Sequence, residues 1–198
     1  MFKPQKRSPA LVKKDIIAFL DACCGQVDPK PGKYSCGMKH RTALVLATSY
    51  RDVPRATPLE FFHDGLTLYV FGEPGGKIAN IKRNQRVAAA VYQQPLDHRK
   101  LQKSLQIFGT AELITLRSDL RLFKAKAKKW NLYSVLDRFL EAELGGKSPS
   151  AAEFKALQEK ILGAITLIKI TPDHIILREY RQDFSMPKYE WKNLVASA

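Results

Sequence analysis

Apolar and polar positions alternate with a period of two through the middle of the chain, and this pattern predicts a series of β-strands. In the run at 43–48 both the odd-numbered and the even-numbered positions carry apolar residues, which predicts a strand that is buried on both faces or lines a barrel. In the next run Pro58 removes one ladder hydrogen bond, so this strand is expected at an edge or a bulge. The predicted strands of this central part are 43–48, 56–62, 66–71 and 87–92, with turns at 51–55 and 63–65.

Helical periodicity and further strand patterns extend on both sides of this central part. Ser8 and Pro9 suit the cap and the first position of a helix, and Gly109 predicts a bend or bulge within a long strand. The turn residues at 171–173 predict a turn that joins the last two strands. The further predicted elements are helices at 9–22, 78–83, 120–143 (with a second candidate start near Ser134) and 151–162, and strands at 105–114, 164–170 and 174–180.

These elements predict a mainly β (α+β) fold, an antiparallel split β-barrel of about six to seven strands with flanking helices. The 198 residues are enough for one domain with a substantial core. Six or more strands joined by short turns favour a closed or split barrel over an open sheet. The single domain is expected over 1–198, with a barrel core at 42–116 and 164–180, an N-terminal helix at 9–22 and a helical insertion at 118–163.

The formal net charge of +14 favours an anionic partner, such as a nucleic acid, an acidic lipid or a phosphorylated small molecule. The basic residues cluster near the N-terminus, at 82–86 and at 124–129, without a recognised nucleic-acid motif. Solvated helix faces are therefore the simplest interpretation, and a nucleic-acid-binding barrel is an alternative. No apolar run reaches the roughly 18 residues of a membrane span, no signal-peptide pattern is found, and three cysteines are too few for a disulfide framework, so a cytoplasmic location is expected.

Four residues of metal-ligating types occur between positions 23 and 40, namely Cys23, Cys24, Cys36 and His40. Zinc sites usually begin with two cysteines that are two to four residues apart, so that both sulfur atoms reach one ion. The side chains of adjacent cysteines diverge and do this poorly. We therefore expect buried or half-buried structural thiols and no metal ion at these positions, and reversible redox chemistry of the thiols is the alternative.

A glycine-rich corner follows the predicted strand at 66–71 and leads into a helix that begins near Lys77. It is similar to a P-loop, but only three residues separate Gly72 from Gly76, and Ile78 replaces the hydroxyl residue that would hold magnesium. A nucleoside triphosphatase is therefore excluded. The corner still suits an anion, because glycines allow close approach of the backbone, a helix start presents N–H groups, and Lys77 adds a positive charge.

The order of these signals resembles the flavin-mononucleotide-binding split-barrel family, whose best-known member is pyridoxamine 5′-phosphate oxidase. The resemblance implies bound flavin mononucleotide (FMN), an oxidoreductase that passes a hydride or electrons between a small-molecule substrate or electron donor and the flavin, and a homodimer with the flavin between subunits. It covers roughly 43–114 and is carried by the runs 43–48, 55–60, 68–84, 87–91 and 107–113.

By this resemblance Arg55 and Lys77 are the expected phosphate-binding cations. Backbone groups of Thr57, Pro58 and Leu59 are expected to line the flavin ring. The ring and ribityl edge is expected at Phe71 and Gly72, and Ser104 falls where the family often has a glutamine. The complete set of expected cofactor-binding residues is Arg55, Ala56, Thr57, Pro58, Leu59, Phe71, Gly72, Gly76, Lys77 and Ser104.

The chain also departs from this family. Gly75 and Gly76 stand where members commonly have a serine and an arginine, and Glu60 stands where the oxidase has a basic phosphate ligand. The C-terminal segment at 178–181 lacks the oxidase's arginine–histidine signature, so true pyridoxamine phosphate oxidase activity is not expected. The alternative is a non-catalytic flavin- or haem-binding electron carrier. Its candidate haem ligands are His40, His63, His98 and His174, of which His63 is expected in a turn.

Overall fold

An eight-stranded antiparallel sheet forms the body of the computed structural model, which describes residues 6–28, 38–39, 42–93, 101–145 and 149–193. The predicted α+β fold with mostly antiparallel strands is thereby confirmed. The strands are β1 (Gln26–Val27), β2 (Met38–Lys39), β3 (Leu44–Tyr50), β4 (Val53–Leu59), β5 (Phe62–Asp64), β6 (Thr67–Gly72), β7 (Arg86–Gln93), β8 (Gln102–Ile114), β9 (Thr166–Tyr180) and β10 (Lys188–Lys192). The helices are α1 (Pro9–Cys23), α2 (Gly76–Arg83), α3 (Leu120–Lys129), α4 (Leu132–Leu144) and α5 (Ala151–Ala164). Within the described ranges no helix is both long enough and apolar enough to cross a membrane.

The strands of the main sheet follow the order β4-β3-β7-β8-β9-β6-β5, and β10 adds to β9. Strands β1 and β2 form a separate two-stranded ladder. Among the described residues no ladder joins the end strands β4 and β5, so the barrel is split between them. Pro58 lies on the end strand β4, as its missing N–H requires, and this prediction is confirmed.

The long strand β9 corrects the prediction of two strands at 164–170 and 174–180 joined by a turn. Pro172 pairs with Gly109 of β8, and the register of the ladder shifts between Phe108 and Gly109. Asp173 is the extra residue of this bulge, so Pro172 is accommodated without ending the strand. The predicted irregularity at Gly109 is confirmed.

The β3–β4 hairpin is tighter than predicted. The expected turn at 51–55 is confined to Arg51 and Asp52, whose φ angles are +50° and +61°. Two positive φ angles match the right-handed twist of the flanking strands, so the ladder continues to the turn. Arg55 therefore lies within β4, and the strand predicted at 56–62 is divided between β4 and β5.

Three other predictions need correction. The helix predicted at 120–143 is divided into α3 and α4 at Asn131, whose φ is +54°. His63 lies in β5 rather than in a turn, and its side chain is only 7% exposed. The tail after residue 181, for which no strand or helix was predicted, contributes β10, which buries Tyr189.

Two hydrophobic clusters form the core. Leu44, Leu46 and Thr48 of β3 are buried, whereas Val45 is 39% exposed, so β3 lines a barrel and is not buried on both faces. This interior is covered by α1. The second cluster lies beneath the helices of the insertion and is rich in aromatic residues, namely Phe62, Tyr69, Phe71, Phe123 and Trp130.

A buried ion cluster fixes the segment before α1 to the end of β9. Glu179 is 2% exposed and accepts hydrogen bonds from Arg7 at 2.9 and 3.1 Å and from Arg181 at 3.0 Å. The guanidinium of Arg7 also stacks on the ring of Tyr189, 4.0 Å from its centroid. Burial opposes ionisation of Glu179, but the hydrogen bonds from Arg7 and Arg181 outweigh it and hold the pKa of Glu179 below its usual range.

Candidate functional site

The corner between β6 and α2 presents backbone N–H groups that have no partner within the helix. Gly75 is the N-cap residue of α2, and no side chain caps the helix start. A hydrogen bond from the N–H of Ala79 to the carbonyl oxygen of Gly75, 3.0 Å long, begins the helical ladder. The N–H groups of Gly76, Lys77 and Ile78 therefore have no partner within the helix. Together with the positive end of the helix dipole, they can bind an anion.

Two cations flank this helix start. The guanidinium of Arg55 lies so close to Gly76 that a Cβ built there would be 2.6 Å from Cζ of Arg55. Lys77 folds back over the corner, with Cε 3.0 Å from a Cβ built on Gly72 and Nζ donating to the carbonyl oxygen of Glu73 at 3.2 Å. In the part of the chain that the structure describes, neither Arg55 nor Lys77 forms an ion pair with an acidic side chain, so both charges can serve a ligand.

Asn80 of α2 and Asn84, the C-cap residue of that helix, hold the β3–β4 hairpin against the helix. Asn80 Nδ2 donates to Oγ1 of Thr48 at 3.2 Å, and Asn84 Nδ2 donates to the carbonyl oxygen of Ser49 at 3.2 Å. Thr48 is the cross-strand partner of Arg55, so these bonds set the distance between Arg55 and the helix start. No role was predicted for these asparagines from the sequence, although they lie four residues apart, with Asn84 at the end of the helix.

The expected flavin-lining residues of β4 alternate between the two faces of the sheet. Thr57 and Leu59 pair with the buried residues Leu46 and Leu44 and are half-buried on the inner face, the face that also carries Arg55. The other two, Ala56 and Pro58, are exposed on the outer face. Within the described residues β4 is an edge strand, so its backbone groups along one side have no ladder partner there and can contact a ligand.

Phe71 and Gly72 end strand β6 directly before the corner. The ring of Phe71 packs edge-on against Phe62, Phe123 and Trp130, with centroid distances of 6.1, 6.1 and 6.2 Å. Its side chain therefore belongs to the aromatic cluster beneath the insertion. The backbone of Phe71 and Gly72 is the part that faces the corner.

Ser104 is separated from the other expected site residues within one chain. It pairs with Tyr92 and Arg178, and its Oγ lies 3.5 Å from the hydroxyl of Tyr180. Along the strand direction, Ser104 lies about 14 Å from the set of cross-strand partners that contains Ala56. Across the sheet, Ser104 lies about 14 Å from Ala56, because β8 is three strands away from β4. The structure thus brings Arg55, Gly76 and Lys77 together and leaves Ser104 apart, on the outer face of β8.

A further group of basic residues surrounds the hairpin tip beside α2. The ring of Tyr50 lies between Arg51 and Arg83, whose Cζ atoms are 5.2 and 5.0 Å from its centroid. Lys82 is exposed nearby on α2. These side chains add positive charge to the Arg55–Lys77 corner and strengthen its attraction for anions.

The described histidines are engaged by protein groups. Nδ1 of His63 lies 3.0 Å from the carbonyl oxygen of Gly65, and its Nε2 lies 3.0 Å from Oδ1 of Asp21. Nε2 of His174 lies 3.1 Å from Oε2 of Glu190. Among the described residues no group of three or more His, Cys, Asp or Glu side chains could hold a metal ion. The candidates that lie outside the described residues are Cys36, His40 and His98.

Comparison with protein families gives one match, which spans most of the chain. The family model described as pyridoxamine 5′-phosphate oxidase matches residues 32–178. This range includes the corner, β4 and nearly all of the main sheet. A search of curated proteins found no match.

Solved structures with a similar chain fold include three proteins with low sequence identity. PhzG from Burkholderia lata, solved with tetrahydrophenazine-1-carboxylic acid, has a TM-score of 0.56 at 11% identity, covering 95% of this chain and 88% of that chain. An FAD-binding protein from Mesorhizobium loti has a TM-score of 0.48 at 22% identity, covering 70% and 86%. General Stress Protein 26 from Bacillus anthracis has a TM-score of 0.42 at 22% identity, covering 75% and 90%. At 11% identity the similarity to PhzG supports the fold alone. The other two similarities are too weak to support a structural conclusion.

Proposed function

The chain belongs to the pyridoxamine 5′-phosphate oxidase family, and from that premise we propose that it is a flavoprotein that binds FMN at the Arg55–Lys77 corner. The observation that carries the proposal is the packing of the Arg55 guanidinium on Gly76 at the uncapped start of α2, with Lys77 beside it. In the described parts of the chain the two cations have no acidic partner and three N–H groups have no partner within the helix, and this combination fits a phosphate monoester.

The rest of the cofactor extends from the corner along the edge of β4. A ring that lies there meets backbone groups of Thr57 to Leu59 and the backbone of Gly72. These contacts require no particular side chain, in agreement with the mixture of exposed and half-buried residues on this strand. They would orient the ring and adjust its electronic properties by hydrogen bonding.

We propose an oxidoreductase that acts on a small-molecule substrate or electron donor. The flavin supplies the hydride or electron chemistry when it is bound, so the protein needs no acid or base of its own for that step. The residues of this chain hold the phosphate, orient the ring and exclude water. The departures at Gly75, Gly76 and Glu60, and the missing C-terminal signature, separate this activity from that of pyridoxamine phosphate oxidase itself.

The proposed functional unit is a homodimer, because proteins of this family are typically dimeric. The outer face of β4, β3, β7 and β8 carries exposed apolar side chains, among them Val45 at 39% and Tyr92 at 46%. It also carries Ala90 between Val45 and Gln106. A second copy on this face would cover Ser104 and bring it toward the partner's flavin.

The proposal includes a cytoplasmic location, because the chain has too few cysteines for a disulfide framework.

The first test is the visible absorption spectrum of the purified protein before and after addition of FMN. Bound flavin, or a perturbed flavin spectrum on titration, is expected for the wild type. Arg55→Ala and Lys77→Ala should each weaken FMN affinity about tenfold, the value of one charge-assisted contact. Lys124→Ala on the exposed part of α3 is the matched control and should leave the affinity unchanged. Absence of any spectral change at high FMN concentration would overturn the proposal.

A further inference from the structure

A surface groove of about 420 Å³ runs along α2 and ends beside the tip of the β3–β4 hairpin. Its walls near the N-cap of the helix are apolar, and its far end, in the last turn, is basic. The lining residues are Pro74, Gly75, Ile78, Ala79, Lys82 and Arg83. A ligand that fits this groove therefore has an apolar part next to a negatively charged part.

The hairpin tip extends the basic end of the groove. The Cζ atoms of Arg51 and Arg83 lie 5.2 and 5.0 Å from the ring centroid of Tyr50, so one aromatic ring connects the tip to the last turn of α2. Nη1 of Arg83 also donates to the carbonyl oxygen of Ala79 at 3.2 Å. These contacts restrict the two guanidinium groups, which reduces the entropy that they lose when they bind a ligand.

This part of the surface has a large excess of positive charge. The segments 50–55 and 73–86 contain six cationic side chains and two carboxylates, those of Asp52 and Glu73. In the described parts of the chain none of Arg51, Lys82 and Arg83 forms an ion pair with an acidic side chain. Lys82 and Arg83 complement the dipole at the end of α2, but Arg51 comes from a different element, so the cluster is more than a helix cap.

The shape and chemistry of this surface fit a single-stranded nucleic acid better than a membrane. Such a strand alternates flat bases with one negative charge per nucleotide, which matches an apolar wall followed by cations. A bilayer surface is flat, cannot enter a groove and would contact the hairpin tip alone. The exposed apolar residue at that tip is Val53, at 67%, and the neighbouring Asp52 carries a charge that anionic lipid repels.

We propose that the groove and the hairpin tip bind single-stranded nucleic acid, a function separate from flavin binding at the corner. A base lies against the apolar wall, and Lys82, Arg83 and Arg51 hold the phosphates of neighbouring nucleotides. These contacts are made to phosphates and to the face of a base, so binding does not depend on the nucleotide sequence. FMN at the corner leaves the surface accessible, because Arg55 and Lys77 are not among its cations.

The test is a titration of a fluorescein-labelled oligothymidylate of about 12 nucleotides with the full chain in the presence of FMN, followed by fluorescence anisotropy. We expect a dissociation constant in the micromolar range at low salt. The slope of log affinity against log salt concentration should be about −2, the value for three phosphate contacts. In the double variant Lys82→Ala/Arg83→Ala the slope should become about −0.7. The control Lys124→Ala/Lys128→Ala removes the same charge from exposed positions of α3 and should keep the slope of the wild type.

A second variant tests the shape of the groove without changing its charge. Ala79→Leu fills the groove and should weaken oligonucleotide binding about fivefold, the lower end of the value of one base contact, while the salt slope is kept. An unchanged affinity in Ala79→Leu would overturn the inference, as would no binding at low salt or equal losses in the two double variants. Competition of anionic lipid vesicles with the oligonucleotide would assign the surface to lipid headgroups and also overturn it. None of these outcomes affects the proposed function, because FMN binding is measured separately.

Discussion

The guanidinium of Arg55 on strand β4 occupies the space that a Cβ of Gly76 would need at the start of helix α2. A Cβ at position 76 would lie 2.6 Å from both Cζ and Nε of Arg55. The glycine thus sets the position of the arginine. A side chain at position 76, where the resembling family commonly has an arginine, would require the Arg55 guanidinium to move.

Gly76→Ala should therefore weaken phosphate binding by displacing the end of a flexible side chain. The added methyl group pushes the Arg55 guanidinium away from the helix start, and FMN affinity should fall about tenfold with the loss of its charge-assisted contact. The measurement is an FMN titration. Gly75→Ala is the matched control, because a Cβ there meets open space. Equal FMN affinities for the two variants would show that the Arg55–Gly76 contact has no part in binding.

Gly109→Ala should be strongly destabilising because its neighbours are backbone atoms. A Cβ on Gly109 would lie 2.3 Å from the carbonyl oxygen of Thr171 and 2.9 Å from Cα of Pro172. Overpacking of this kind costs about 3 kcal/mol of unfolding free energy, measurable by urea unfolding. Gly163→Ala in α5 meets no atom within 4 Å and should be neutral or slightly stabilising. A normal stability for Gly109→Ala would mean that the bulge can move to make room.

Glu179→Gln should lower stability at neutral pH and alter its dependence on pH. The change leaves Arg7 and Arg181 next to a buried neutral group, which costs about 3 kcal/mol at pH 7. The folded pKa of Glu179 lies below the ordinary value of 4.5, so the wild type has the full stabilisation above that pH and loses it as the pH falls through the folded pKa. Glu179→Gln has no carboxylate to protonate at this position, so its stability should not show this decrease as the pH falls.

Chemical unfolding of both proteins between neutral and acidic pH measures the effect. Glu112→Gln is the control, since that carboxylate is 52% exposed in its pair with Lys169 and should contribute less than about 1 kcal/mol. The assignment fails if wild type and Glu179→Gln lose stability in parallel below pH 4.5.

Ala90→Glu should convert the proposed dimer to a monomer. Ala90 is exposed between Val45 and Gln106 on the outer sheet face, where two symmetric copies would bury the new charges without partners. Sedimentation velocity gives the oligomeric state. Ala125→Glu on the exposed part of α3 is the charge-matched control and should leave a dimer. A dimer in both variants would place the interface elsewhere.

Local sequence signals predicted the parts of the fold that depend on single residues. Pro58 marked an edge strand, Gly109 marked a bulge, and the glycines before Lys77 marked the corner. These residues carry the information themselves, because a missing N–H or a missing Cβ restricts the backbone wherever it occurs.

Long-range relationships could not be predicted in this way. The continuity of β9 depends on Pro172 facing Gly109, which lies more than 60 positions earlier in the chain. The contact of Arg55 with Gly76 depends on the asparagines of α2, and the distance of Ser104 from the corner depends on the ladder register. Nothing in the local pattern at Ser104 indicates this separation.

We propose that the Arg55–Lys77 corner binds the phosphate of a flavin, and this is measured most directly by comparing FMN with riboflavin, which lacks the phosphate. We expect the wild type to prefer FMN by about a hundredfold, the combined value of two charge-assisted contacts. The double variant Arg55→Ala/Lys77→Ala should lose this preference while its riboflavin affinity is unchanged. An equal preference for FMN in the wild type and the double variant would contradict the account.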